Sequence, residues 1–306
     1  MSDELASPAW FAEACGRQPE EHRVDVAGCA IRLLRWRGGS AAPIVLVHGA
    51  GANAAWWVAL APLLAEDRTV VVLELSGHGD SGWRGAYTLE QWAQELLSAA
   101  AWGVETAGGV EMPADALPIL VGHSLGGQVC ITAAAQQPAR VGAVVLCDVG
   151  VPFGTIRRRR AFPNRFVYAS RQAAIARFKL IPHQPCANAW LLDHIAQASV
   201  RPVTAATHGR DGWSWKFDFA VFARTSERPL PDYLAELGCP VGFLNGAASA
   251  VVTREGADRT QSGVRRPLEP VWLEGARHHL MLDAPLEFVA ALSTLLGRLA
   301  ERRSPG

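Results

Sequence analysis

The sequence predicts an α/β protein, a mostly parallel central sheet of about eight strands with helices on both faces. Three observations carry this. Short apolar runs recur along the chain, several ending in glycine, as strands buried on both faces do. Longer amphipathic or alanine-rich stretches alternate with them, which is how parallel strands are joined. Apolar residues make up 49% and charged residues 19% of 306 positions, which fits a large core and argues against disorder.

The elements follow in chain order. "RVDVAG" (23–28) and "AIRLLRW" (30–36) read as two early strands joined near Gly28. "PIVLVHG" (43–49) and "TVVVLELSG" (69–77) are continuous apolar runs and read as buried strands. "TLEQWAQELLSAAAWG" (88–103) starts on a threonine cap with Glu90 in the first turn, so it reads as a helix. "PILVGHS" (118–124) is the next strand and "LGGQVCITAAAQQP" (125–138) the next helix, stopped by its proline. "VGAVVLCDVG" (141–150), "PVGFLNG" (240–246) and "LEPVWLEG" (268–275) complete the strands. "APLEFVAALSTLLGRLAERR" (284–303) is an amphipathic terminal helix ending in arginines.

One segment breaks the alternation. Residues 152–238 show no clear strand and read as a mainly helical, irregular cap inserted into a core formed by 1–151 and 239–306. The insert carries 13 Lys and Arg against six acids, so it is +7 while the rest of the neutral chain is −7. A basic insert on an acidic body suggests a lid held partly by charge. Its marks are "RRRR" (157–160) and the aromatic run "GWSWKFDF" (212–219).

The strongest local signal is "VGHSLGG" (121–127). Gly122 and Gly126 flank Ser124 in the pattern G-x-S-x-G, between a strand and a helix. Small flanks let strand and helix meet tightly, and the turn holds the hydroxyl out in an unusual backbone conformation. The new helix also points free N–H groups at the site, which favours developing negative charge. A serine that merely caps a helix is the competing explanation. A serine nucleophile needs a base and an oxyanion hole. "EGARHHLMLDAP" (274–285) offers His278 and His279 after the last strand. "VLVHGAGANAAWW" (45–57) offers backbone N–H groups that can pair with that of Leu125.

With "HGAG", "LSGHGDS" (75–81), "GHSLGG" and "GARHHLMLDAP" in place, the chain resembles the α/β-hydrolase superfamily from about residue 24 to its end. The resemblance implies the α/β-hydrolase fold, with residues 152–238 in the place of the family's variable cap. It implies Ser124 as nucleophile and His278 as base, with Arg277 where a glycine is usual. It implies the backbone N–H groups of Ala50 and Leu125 as the oxyanion hole, and a structural role for His78 and Asp80. The chain departs from the family at the acid. Where an aspartate commonly follows the strand at 240–246, this sequence has Ser249, which cannot stabilise an imidazolium as a carboxylate does. The family's second location for the acid holds Asp148, which keeps the order Ser, Asp, His. Glu255, Asp258 and Asp193 are the remaining candidates.

The expected activity is hydrolysis of a carboxylic ester through an acyl-enzyme, with no metal and no organic cofactor. The same groups also suit C–C bond, amide or lactone hydrolysis, and Ser249 keeps a non-catalytic ligand-binding relative in view. Trp56, Trp57, Trp213 and Trp215, with Phe217, are the candidate lining of an apolar substrate pocket. The arginines at 157–160 would then favour substrates carrying a carboxylate. The expected partner is a small ester. A net charge of zero speaks against nucleic acid, and no apolar run is long enough for a membrane span. Six scattered cysteines without a C-x-x-C pair, and no export signal, point to reduced thiols in the cytoplasm.

Overall fold

The computed structural model describes residues 7–105, 117–153 and 166–303. The arginine run at 157–160 lies outside the described residues.

Eight strands form one sheet in the order β1-β2-β4-β3-β5-β6-β9-β10. They are β1 (Glu20–Val26), β2 (Cys29–Trp36), β3 (Ala41–Val47), β4 (Arg68–Leu73), β5 (Ile119–His123), β6 (Ala143–Cys147), β9 (Val241–Gly246) and β10 (Val271–Leu273). β1 and β2 pair antiparallel, and β2 pairs antiparallel with β4. Every later pairing, from β4–β3 to β9–β10, is parallel.

Strand periodicity sorts the apolar runs onto two cores. Ile44, Leu46, Val70, Val72, Val121 and Val145 share one core with Phe288, Leu292 and Leu296 of the helix Pro285–Arg303. Their neighbours Val45, Val47, Val71, Leu73, Leu120 and Val144 face the helices Leu89–Glu105 and Leu125–Gln136 through Trp92, Leu96 and Val129. Both faces are therefore covered, which is why these strands read as unbroken apolar runs. Each buried aliphatic side chain contributes roughly 1.5–3 kcal/mol by leaving water.

Residues 166–238 lie between β6 and β9 and hold the helices Arg171–Ile175, Ala189–Ala198, Ala205–His208 and Leu230–Glu236. They also hold two strands, β7 (Val200–Val203) and β8 (Gly212–Trp215), paired antiparallel. This corrects the strandless reading of the segment. Four-residue strands, one of them containing Pro202, are too short to show alternation. The segment is tied to the body by polar contacts. Lys216 pairs with Asp80 at 2.8 Å, Tyr87 donates to Asp218 at 3.0 Å, and Asn53 donates to Ser199 at 2.9 Å. The helix Ala9–Gly16 adds an apolar contact, with Phe11 against Trp190.

Candidate active site

β5 ends at His123 and the helix Leu125–Gln136 begins one residue later, so Ser124 is the whole turn. Its φ of 52° and ψ of −116° lie outside the conformations L-residues favour. The glycines make this turn possible. A Cβ on Gly122 would sit 2.4 Å from the backbone of Gly126, and one on Gly126 would sit 2.4 Å from the Val47 carbonyl oxygen. The Ser124 N–H donates to the Cys147 carbonyl at 3.1 Å, which fixes the turn against the end of β6.

Three side chains meet there. His278 Nε2 lies 3.1 Å from Ser124 Oγ, and His278 Nδ1 donates to Asp148 Oδ2 at 2.6 Å. Asp148 follows β6, is fully buried, and has a φ of 50°. Its other oxygen accepts the Gly246 N–H at 3.0 Å. Ser249 donates its hydroxyl to Asp148 Oδ2 at 2.6 Å. The serine in the family's usual acid position thus hydrogen-bonds to the carboxylate that contacts the histidine. Glu255 pairs instead with Arg259 on an exposed helix, Asp193 accepts from Gln197, and Asp258 is exposed on the helix Arg254–Ser262.

The turn that carries His278 is held on both sides. Asp283 accepts the Arg277 N–H at 2.7 Å, and Gln184 accepts the His279 N–H at 3.1 Å while donating to Asp283. Sequence reasoning did not reach this pair. Asp283 stood in the quoted motif, but Gln184 arrives from 95 residues away and leaves no local pattern.

Ser124 and His278 open onto a cavity of about 200 Å³. Ala50 lines it, beside Gly49, whose added Cβ would lie 3.3 Å from that of Ser124, so this backbone runs close over the serine. Leu125 is the first residue of its helix, and its N–H has no carbonyl one turn back to bond within the helix. Trp56, Trp215 and Phe217 line the cavity, joined by Phe178, Phe219 and Phe222.

Trp57 and Trp213 do not line it. Trp57 caps the short 3-10 turn Ala54–Trp56, so it points away from its neighbour and packs on Phe288, ring centroids 5.9 Å apart. Trp213 stands two residues before Trp215 on the same strand, which carries it past the cavity along β8.

His279 packs beside His278 and donates through Nε2 to the Pro182 carbonyl, 3.2 Å away. Only a carbonyl faces that nitrogen, so Nε2 carries the proton. Burial, then the neighbouring His278, push its pKa down to about 3. Burial also holds His123 well below the ordinary histidine range. His78 is buried near the Ser76 carbonyl, and Asp80 holds Lys216, so both serve the loop under the cover. No helix of the described residues is long and apolar enough to cross a membrane.

Three comparisons bear on this geometry. The profile described as "Alpha/beta hydrolase family" matches residues 44–292. Esterase Rv0045c of Mycobacterium tuberculosis is 32% identical over 260 residues, covering 81% of this chain and 80% of that protein. Its crystal structure superimposes with a TM-score of 0.69 at 27% identity, covering 96% of this chain and all of that one. A pimeloyl-[acyl-carrier protein] methyl ester esterase of Vibrio cholerae is 28% identical over 227 residues, covering 72% of this chain and 84% of that protein.

Proposed function

The chain belongs to the alpha/beta hydrolase family, and from that premise we propose that it hydrolyses carboxylic esters through Ser124. The observation that carries the reading is the unbroken relay Ser124–His278–Asp148, at 3.1 and 2.6 Å. Its relatives named as esterases support the same reaction class.

Ser124 Oγ attacks the ester carbonyl as its proton passes to His278 Nε2. Asp148 holds the imidazole in the Nδ1–H tautomer and stabilises the imidazolium. The N–H groups of Ala50 and Leu125 receive the oxyanion, and the start of the helix adds favourable potential. The imidazolium then protonates the departing alcohol, leaving an acyl-enzyme. Water, losing a proton to the same nitrogen, releases the acid and restores Ser124. The steps close on the side chains and backbone named and use no cofactor. Residues 152–238 act as a cap, and Trp56, Trp215 and Phe217 hold the acyl group. We place the protein in the cytoplasm, with a small ester as its partner.

Hydrolysis of short and medium p-nitrophenyl esters tests the reading, with Ser124→Ala and Asp148→Asn alongside. Turnover and fluorophosphonate labelling of the wild type, both lost in Ser124→Ala, are expected. No turnover and no label on folded wild type would overturn it.

A further inference from the structure

We propose that the esters taken at Ser124 carry a carboxylate at the far end of the acyl chain, and that Arg177 and Lys179 hold it. This substrate class follows only if Ser124 hydrolyses esters as proposed above. Residues 166–238 hold eight lysines and arginines. Six of them are engaged. Lys216 and Arg228 pair with Asp80 and Glu236. Arg171 and Arg210 donate to the Gln197 and Val167 carbonyls, and Arg224 donates to the Gln128 side chain. Arg201 lies over the Trp83 ring, 4.3 Å from its centre. The side chains of Arg177 and Lys179 have no acid, acceptor or ring against them among the described residues. Both line the cavity onto which Ser124 opens. The two cations of the cover left without a partner are thus the two at the site, and neither belongs to the run at 157–160.

Local structure puts them there. After the helix Arg171–Ile175 the chain turns, with the Arg177 N–H on the Ala174 carbonyl and the Phe178 N–H on the Ile175 carbonyl, both at 2.9 Å. Phe178 packs on Trp215, ring centroids 6.2 Å apart, and belongs to the aromatic wall. Its two neighbours are exposed, as is Ile181, so they stand where that wall meets water. The lining therefore has three parts: the buried floor at Ser124 and His278, the aromatic wall, and a cationic rim. No aspartate or glutamate among the described residues lines it. Such a lining suits a chain that is apolar along its length and negative at its end. Methylenes are buried against the aromatics, while the carboxylate stays at the rim and keeps part of its water, so little desolvation opposes the pairing. Arginine offers a carboxylate two parallel N–H donors, and lysine adds a point charge. Neither cation has to give up an internal partner to receive it.

Monomethyl esters of straight-chain dicarboxylic acids of roughly four to ten carbons test this, each against the methyl ester of the same length ending in a carboxamide. Hydrolysis gives methanol and the free acid, and the pair differs in charge at nearly constant shape. At the best length, kcat/KM of wild type should favour the carboxylate by about tenfold at low salt, and about 0.5 M NaCl should shrink that ratio. With Arg177→Gln and Lys179→Gln together the ratio should fall toward one, and with both changed to Glu it should drop below one. Both positions are exposed, and thermal midpoints check that the variants fold. The wild-type ratio and its salt dependence decide the matter if they do not. Ester hydrolysis with a ratio near one at every length overturns the substrate class and leaves hydrolysis at Ser124 standing. So does fluorophosphonate labelling without turnover of any of these monoesters. A preference that survives in the folded glutamine variant overturns the assignment to Arg177 and Lys179. A preference seen only with the charge on the alcohol, octanoyloxyacetate against octanoyloxyacetamide, overturns its placement on the acyl chain. Neither turnover nor label overturns the hydrolytic reading itself.

Discussion

The floor of the cavity and its cover are built differently. The floor groups stand at the ends of long-range elements: Ser124 after β5, Asp148 after β6, His278 after β10. Their backbones are pinned by buried bonds, such as Ser124 N–H to Cys147 and Asp148 N–H to Leu244 at 2.9 Å. The cover is made of short pieces, of which the helix Ala189–Ala198 is the longest among the described residues at 10 residues. It is held by side-chain contacts such as Lys216–Asp80. The difference teaches a division of labour. Proton transfer needs heavy atoms placed within fractions of an ångström, which a two-faced sheet provides. Acceptance of a substrate needs only shape and apolarity, which buried and half-buried aromatics provide.

The sharpest way to break this division is to cut the floor. Ser124→Ala should lower kcat by about 10⁶-fold and Asp148→Asn by about 10⁴-fold, with the fold kept, in p-nitrophenyl ester assays. If Phe217→Ala costs as much as Asp148→Asn, the division is wrong.

Acid gives the next test. The floor and the loop beside it hold His48, lowered to about 4, His279, lowered to about 3, and His78 and His123, also lowered, all by burial first. Unfolded histidines take protons near 6.5, while these stay neutral when folded. The unfolded chain therefore binds more protons below that pH, and stability falls from pH 6.5 toward about 4. The loss is at most about 1.4 kcal/mol per histidine per pH unit. Thermal midpoints at pH 7.5, 6.5 and 5.0 should drop, and His279→Gln should flatten the curve.

Two smaller effects sharpen the contrast. Phe217→Ala should change the kcat/KM ratio between hexanoate and acetate esters by about tenfold, since a few methylenes leave their wall. Ser249→Ala removes one hydroxyl donor from Asp148 and should lower kcat by about fivefold, the worth of about 1 kcal/mol. A loss as large as that of Asp148→Asn would show that Ser249 is indispensable to the acid.

The sequence carried the floor well because tight geometry leaves a trace. Gly122 and Gly126 are readable since no side chain fits there, and the apolar runs are readable since both sheet faces are covered. Ser249 was legible as a departure, but its contact with Asp148 was not, because 101 positions separate them. The cover was misread for the opposite reason. β7 and β8 are short, and Trp57 and Trp213 look like Trp56 and Trp215 until rotation past the 3-10 turn turns Trp57 away and the offset along β8 carries Trp213 past the cavity.

The glycines around Ser124 also constrain how this gene can drift. A Cβ at position 127 would lie 2.2 Å from Val149 Cγ2, and at 122 or 126 it would strike main chain. Main chain cannot move aside, while Val149 is replaceable. Descendants of this sequence are therefore expected to vary at 127 only alongside 149, and to keep 122 and 126 long after activity has been lost, as a record of the turn rather than of the reaction.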